Sequence, residues 1–154
     1  MAKLALVDPL TQILGPVTDE WCQDDLRCII YQSGISFSQR LPGAPPWTTE
    51  NHFAAVQTMR DRAPHLRAWY SLILCTDLPQ MALDAKVDAA DIPEESRRGA
   101  YAMVIGSRMG AVMANWILGV VRQDIRSRCF NDATSAAAWI LELKEADEAN
   151  TCHS

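Results

Sequence analysis

The apolar positions fall into short continuous runs, separated by stretches where apolar residues recur every three or four positions. "AWYSLILC" (68–75) and "AYAMVIG" (100–106) are apolar almost throughout, the pattern of strands covered on both faces. "TTENHFAAVQTMRDRA" predicts a helix capped by Thr48 or Thr49, with Phe53, Val56 and Met59 on one side, stopped by Pro64. "NDATSAAAWILELKEADEA" predicts another, capped by Asn131 or Asp132. It aligns Ala136, Trp139, Ile140 and Leu143, and leaves Glu142, Lys144 and Glu145 off that face. "MALDAKVDAADIPEES" predicts a short helix over about 82–90, ending before Pro93.

The stretch "YAMVIGSRMGAVMANWILGVV" (101–121) admits three readings. A membrane span fails on length, because the apolar run between Arg108 and Arg122 falls short of the roughly twenty residues a span needs. Cutting it at Gly106-Ser107 gives a strand, a tight turn and a helix apolar nearly all round, whose lone polar residue Asn115 is expected to be buried and hydrogen-bonded. A phosphate-cradling loop is the third reading. "GSRMG" has two glycines four apart, but it lacks the Gly-Lys-Ser/Thr ending of a P-loop and the third glycine of a dinucleotide fingerprint. Arg108 and the free N–H groups of a helix start nevertheless suit an anion.

Upstream, "LRCIIY" and "ISFSQR" flank "QSG" and predict a hairpin, while "IRSRCF" alternates as an exposed or edge strand does. The expected fold is α/β: a single mixed β-sheet, made of an N-terminal hairpin and about three alternating strands, with about four packed helices. Residues 1–19 show no period and are expected to form an arm. Residues 20–147 form one domain, and 148–154 a flexible tail.

The composition fits this picture. The chain has 154 residues, 49% apolar and 21% charged, enough for one core. Its net charge of −5 disfavours nucleic acid and anionic lipid surfaces. Five cysteines at wide spacing do not form a disulfide framework, and Cys28, Cys75 and Cys129 sit in apolar runs as small hydrophobes. "MAKLALVDPLTQ" lacks the apolar length of a secretory signal. The expected location is therefore cytoplasmic, with no intramolecular disulfide.

Candidate chemistry is sparse. His52 and His65 have no second ligand at metal spacing, so no metal or other cofactor is expected. No nucleophile elbow or Cys–His signature is present. Open α/β sheets place ligands at the C-terminal ends of strands. There Thr76-Asp77 follows one apolar strand and Ser107-Arg108 the other. Asp77 lacks a patterned partner to act as a base, and the pattern favours capping of the next turn by Asp77 or Thr76. Trp21 and Trp47 lie in irregular segments and suit a partner surface.

Gly106-Ser107, Asn115-Trp116-Ile117, Arg128-Cys129-Phe130, Asp132 and Ala136 to Ile140 carry a resemblance. With "LILCTDLPQM" upstream, they make residues 68–143 similar to small stand-alone bacterial STAS-like proteins (sulfate transporter and anti-sigma factor antagonist), which are related in shape to CRAL-TRIO lipid-binding domains. The resemblance implies a binding or switching module without catalytic groups. In the family's anti-sigma antagonists a phosphorylatable Ser follows the Asp-Leu strand. Here no Ser or Thr occurs between Thr76 and Ser96, so that switch is not carried over.

The reading is a non-catalytic STAS-like interaction or regulatory module whose partner is another protein or a second copy of itself. The alternatives are a carrier of a small apolar, lipid-like molecule and an enzyme with an unrecognised site.

Overall fold

Six strands form one sheet in which spatial order follows chain order, β1-β2-β3-β4-β5-β6. They are β1 (Val17–Gln23), β2 (Leu26–Tyr31), β3 (Ser36–Arg40), β4 (Tyr70–Cys75), β5 (Ala100–Ile105) and β6 (Ser127–Phe130). The computed structural model describes residues 9–45, 48–75, 92–106, 109–112, 115 and 126–152. The helices are α1 (9–14), α2 (Thr49–Arg62), α3 (Glu94–Arg98), α4 (helical at 109–112 and 115) and α5 (Ala133–Thr151). β1 to β3 run antiparallel as a meander, and β3 to β6 run parallel. The change of direction falls where tight turns give way to long connections, as parallel pairing requires.

Local chemistry sets these elements. The β2–β3 turn places Gly34 at φ 83, a conformation costly to any residue with a Cβ. Thr48 caps α2 in a reciprocal arrangement with Asn51: its hydroxyl accepts from the Asn51 N–H at 3.1 Å, and its own N–H donates back to Asn51 Oδ1. Asp132 caps α5 by accepting from the Ser135 N–H at 2.7 Å. Gly99 precedes β5 where the chain runs against the Trp69 backbone. A Cβ there would lie 1.8 Å from the Trp69 carbonyl oxygen, so no other residue fits without a backbone shift.

Strand alternation divides the sheet into two faces. One carries Ile29, Phe37, Leu72, Ala102 and Val104, and it packs on Leu10 and Leu14 of α1 and Ala136, Ala137 and Ile140 of α5. The other carries Asp19, Trp21, Cys28, Ser36, Ser71, Tyr101 and Cys129 by register. α2 reaches this second face through Arg62, α3 through Ser96, and α4 through Ala111, which packs with Ile105, Met103 and Cys129.

The α/β class and the single mixed sheet are as expected. The hairpin, the two central strands, the edge strand and both long helices form where the pattern places them. Four particulars differ. The element count is higher, with a sixth strand, β1, in a segment without apolar alternation, and five helices among the described residues where about four are expected, α1 and α3 falling where the pattern predicts none. The boundaries also move: Leu10 and Leu14 are core residues at 1% exposure, Val17 to Asp19 belong to β1, and α5 continues to Thr151. α2 has no buried residue, and Phe53 is 46% exposed, so its apolar side is not sealed. Asn115 is exposed rather than buried, although its amide is fully engaged. It donates to the Cys129 carbonyl at 3.1 Å and accepts from the Cys129 N–H at 2.7 Å. A side-chain amide thus takes the place of a neighbouring strand on the outer edge of β6. The helix expected over about 82–90 lies outside the described residues.

Candidate functional site

Thr76, Asp77, Ser107, Arg108 and Trp47 lie outside the described residues, leaving Trp21 among the residues singled out in the sequence. The C-terminal end of β5 is described on either side of Ser107-Arg108. Gly106 lies on the strand side, and on the helix side Met109 and Val112 of α4 are 73% and 67% exposed. The intervening Gly110 and Ala111 are buried. α4 therefore turns small residues toward the sheet and two large apolar side chains, three positions apart, toward water.

Trp21 is half-buried on β1. The Arg62 guanidinium sits 4.6 Å from its ring centroid and pairs in a fork with Asp19, both N–O distances being 2.8 Å. The hydrogen bond from Arg62 holds the Asp19 carboxyl below its ordinary range. One arginine thereby anchors the end of α2 to the first strand. Cys28, opposite Trp21 in the register, has its thiol pushed up to about 12, by burial first and then by nearby Cys22. It is a packed thiol rather than a nucleophile. Cys22, Cys28, Cys129 and Cys152 are free.

A cleft of about 290 Å³ opens at the N-terminal ends of the parallel strands, between the end of α2 and α3. Ala63, Pro64 and Leu66 form its apolar wall, and Arg60, Arg67, Arg98, Glu94 and Glu95 its charged one. Arg60 forks onto Glu95 at 2.9 and 3.0 Å, and Arg98 pairs with Glu94. The Arg60 hydrogen bond lowers the Glu95 carboxyl, which makes it a poor proton acceptor. Arg67 is exposed and has no ion-pair partner among the described residues. The cleft suits an anionic group better than an aliphatic tail.

A second cluster lies at the same end of the strands. Arg126 forks onto Asp147 of α5 at 2.6 and 3.1 Å and donates to the Gly99 and Arg98 carbonyls, while the Tyr70 hydroxyl donates to Asp147 at 2.6 Å. Burial, then the bond to Asp147, pushes the Tyr70 phenol up to about 12. These groups brace three strand starts against α5. They escape sequence reading because Tyr70 and Asp147 are 77 positions apart and fit no motif. Among the described residues, no three His, Cys, Asp or Glu side chains gather as a metal site would need, and no helix is long and apolar enough to cross a membrane.

No protein family, curated protein or solved structure matches the chain.

Proposed function

We propose that the chain is a non-catalytic interaction or regulatory module of the STAS-like kind, acting in the cytoplasm, with its partner surface at the C-terminal end of β5. The observation that carries this reading is the exposure of Met109 and Val112 on α4. Clustered apolar side chains in water mark contact surfaces, and methionine is enriched in them. Met109 follows Ser107-Arg108 directly in the sequence and Val112 comes three positions later, so polar and apolar contact groups share one segment after β5, where α/β sheets bind. The charged clusters support the same reading: Arg60, Arg62 and Arg126 each have a carboxylate partner within the fold, which occupies groups that substrate chemistry would need.

The test is a chain carrying both Met109→Asp and Val112→Asp, compared with the wild type by affinity capture from cell extract and by thermal unfolding. The expected result is loss of the captured partner with stability changed by less than about 1 kcal/mol, as at exposed positions. A partner retained by the doubly substituted chain overturns the reading.

A further inference from the structure

The two edges of the sheet are finished differently. β6 is four residues long, and Asn115 occupies both outward hydrogen-bonding groups of Cys129. β1 is seven residues long and paired on one side by β2. Its outward groups follow from the turn. Gln23 and Leu26 close a two-residue hairpin loop, so that pair exchanges hydrogen bonds. Alternation makes Trp21 and Cys28 the next exchanging pair, which turns the backbone groups of Glu20 and Cys22 away from β2. The Glu20 N–H is met only by the neighbouring Asp19 carboxylate, at 2.9 Å. The remaining outward groups of Glu20 and Cys22 have no partner among the described residues, and both residues are exposed. The edge carries no proline or lysine and, among the described residues, no covering element; beyond the irregularity between Val17 and Asp19, its regular run from Asp19 to Gln23 is a template for another strand.

We propose that β1 pairs antiparallel with β1 of a second copy about a two-fold axis at Trp21, joining two six-stranded sheets edge to edge. The side chains select both occupant and register. An axis at Glu20 would set two carboxylates directly opposite each other. An axis at Cys22 would bring Glu20 against the partner's Asp24. With the axis at Trp21, Glu20 lies opposite the partner's Cys22, and the four facing backbone groups on each strand pair fully. Asp19 then faces the partner's Gln23, whose amide N–H₂ can donate to a carboxylate. The two Trp21 rings meet as a close non-hydrogen-bonded pair, each already carrying Arg62 beside it. Such an interface satisfies itself, which a foreign strand of arbitrary sequence would not do.

Sedimentation velocity of the full chain over a concentration series tests this, together with residue-resolved amide exchange. The wild type is expected to sediment as a dimer, with slowed exchange at Glu20 and Cys22. Cys22→Glu sets a carboxylate opposite Glu20 at both pairs of the dimer without touching the core, and it is expected to sediment as a monomer whose circular dichroism is that of the folded wild type. A wild type that stays monomeric overturns the proposal, and so does a dimer that survives Cys22→Glu or leaves the Glu20 and Cys22 amides unprotected. The doubly substituted Met109 and Val112 chain should still dimerise, so failure of the β5 surface and failure of this interface read out separately.

Discussion

The two faces of the sheet are built from the same strands and do different work. On one, Ile29, Leu72, Ala102 and Val104 are sealed by α1 and α5, with exposures of 4% or less. On the other, a single register row runs Ser36, Ser71, Tyr101, Ser127 across four strands. Its hydroxyls are tied to one another and to α3: Ser36 Oγ lies 2.8 Å from Ser71 Oγ, and Tyr101 Oη lies 2.6 Å from Ser96 Oγ. The sealed face stabilises through buried apolar area. The second face is held by hydrogen bonds and the arginine anchors of α2, which leaves side chains such as Phe53 facing solvent. Apolar burial therefore dominates one side of the sheet and polar pairing the other, where Ile30, Ile105 and Cys129 are buried beside the hydroxyl row.

Neighbouring residues of β4 break this comparison most directly. Leu72 is fully buried on the sealed face, and Ile73 is half-buried on the other. Leu72→Ala is expected to cost about 2–5 kcal/mol, because the packed surroundings cannot collapse into the cavity. Ile73→Ala should cost clearly less, since solvent already reaches part of its side chain. Urea unfolding of both variants measures the difference. Equal losses would mean that the second face is as well packed as the first.

The same division explains what was legible in the sequence. β4 and β5 are covered on both sides and read as continuous apolar runs, and α5 shows its period because one side of it is core. β1 does not show. "VTDEWCQ" is an edge strand whose partly buried side, Asp19, Trp21 and Gln23, is held by Arg62 rather than by apolar packing. Its turn is also hidden. Asp24 and Asp25 adopt φ 49 and 59, a conformation usually signalled by glycine or asparagine. The strand-end candidates could be named from α/β topology alone, but the braces Arg62–Asp19 and Arg126–Asp147–Tyr70 join residues tens of positions apart. No local pattern encodes such a contact.

Titration sharpens the comparison at an intermediate scale. Asp19 and Glu95, which anchor α2 to the second face, and Asp147, which anchors α5, all have carboxyls lowered first by their arginine partners. A group with a lowered folded-state pKa stabilises above its unfolded value and loses that contribution as pH falls through the folded one. Stability should therefore hold down to about pH 4 and decline below it. Arg60→Gln together with Arg62→Gln should flatten this acid limb more than either change alone. At high pH the sense reverses. Cys28 and Tyr70 are raised from 9.0 and 10.0 to about 12, so their contribution is complete below pH 9 and is lost as pH rises toward 12. Thermal midpoints measured from pH 2 to 11 in steps trace both limbs. A flat acid limb in the wild type would show that the arginine pairs do not hold α2.

The smallest expected effects carry opposite signs, and hydroxyl deletion measures them. Tyr31 is 1% exposed on the sealed face, and its buried hydroxyl has no hydrogen-bond partner among the described residues. Burying an unpaired polar group costs free energy that its removal recovers, while the ring keeps its packing. Tyr31→Phe should therefore leave stability unchanged or raise it by up to about 1 kcal/mol. Ser71 presents the reverse case. Its hydroxyl is paired with Ser36, which is 9% exposed, so Ser71→Ala strands a mostly buried partner and should cost about 0.5–1.5 kcal/mol. Substituting both serines with alanine should cost less than the sum of the single changes, because no unpaired hydroxyl then remains. Differential scanning calorimetry of the three serine variants and Tyr31→Phe measures all four quantities. A loss on Tyr31→Phe would show that its hydroxyl is hydrogen-bonded and the sealed face less purely apolar than its packing implies. Strict additivity at the serine pair would show that the row on the second face is a set of independent exposed groups rather than a connected seam.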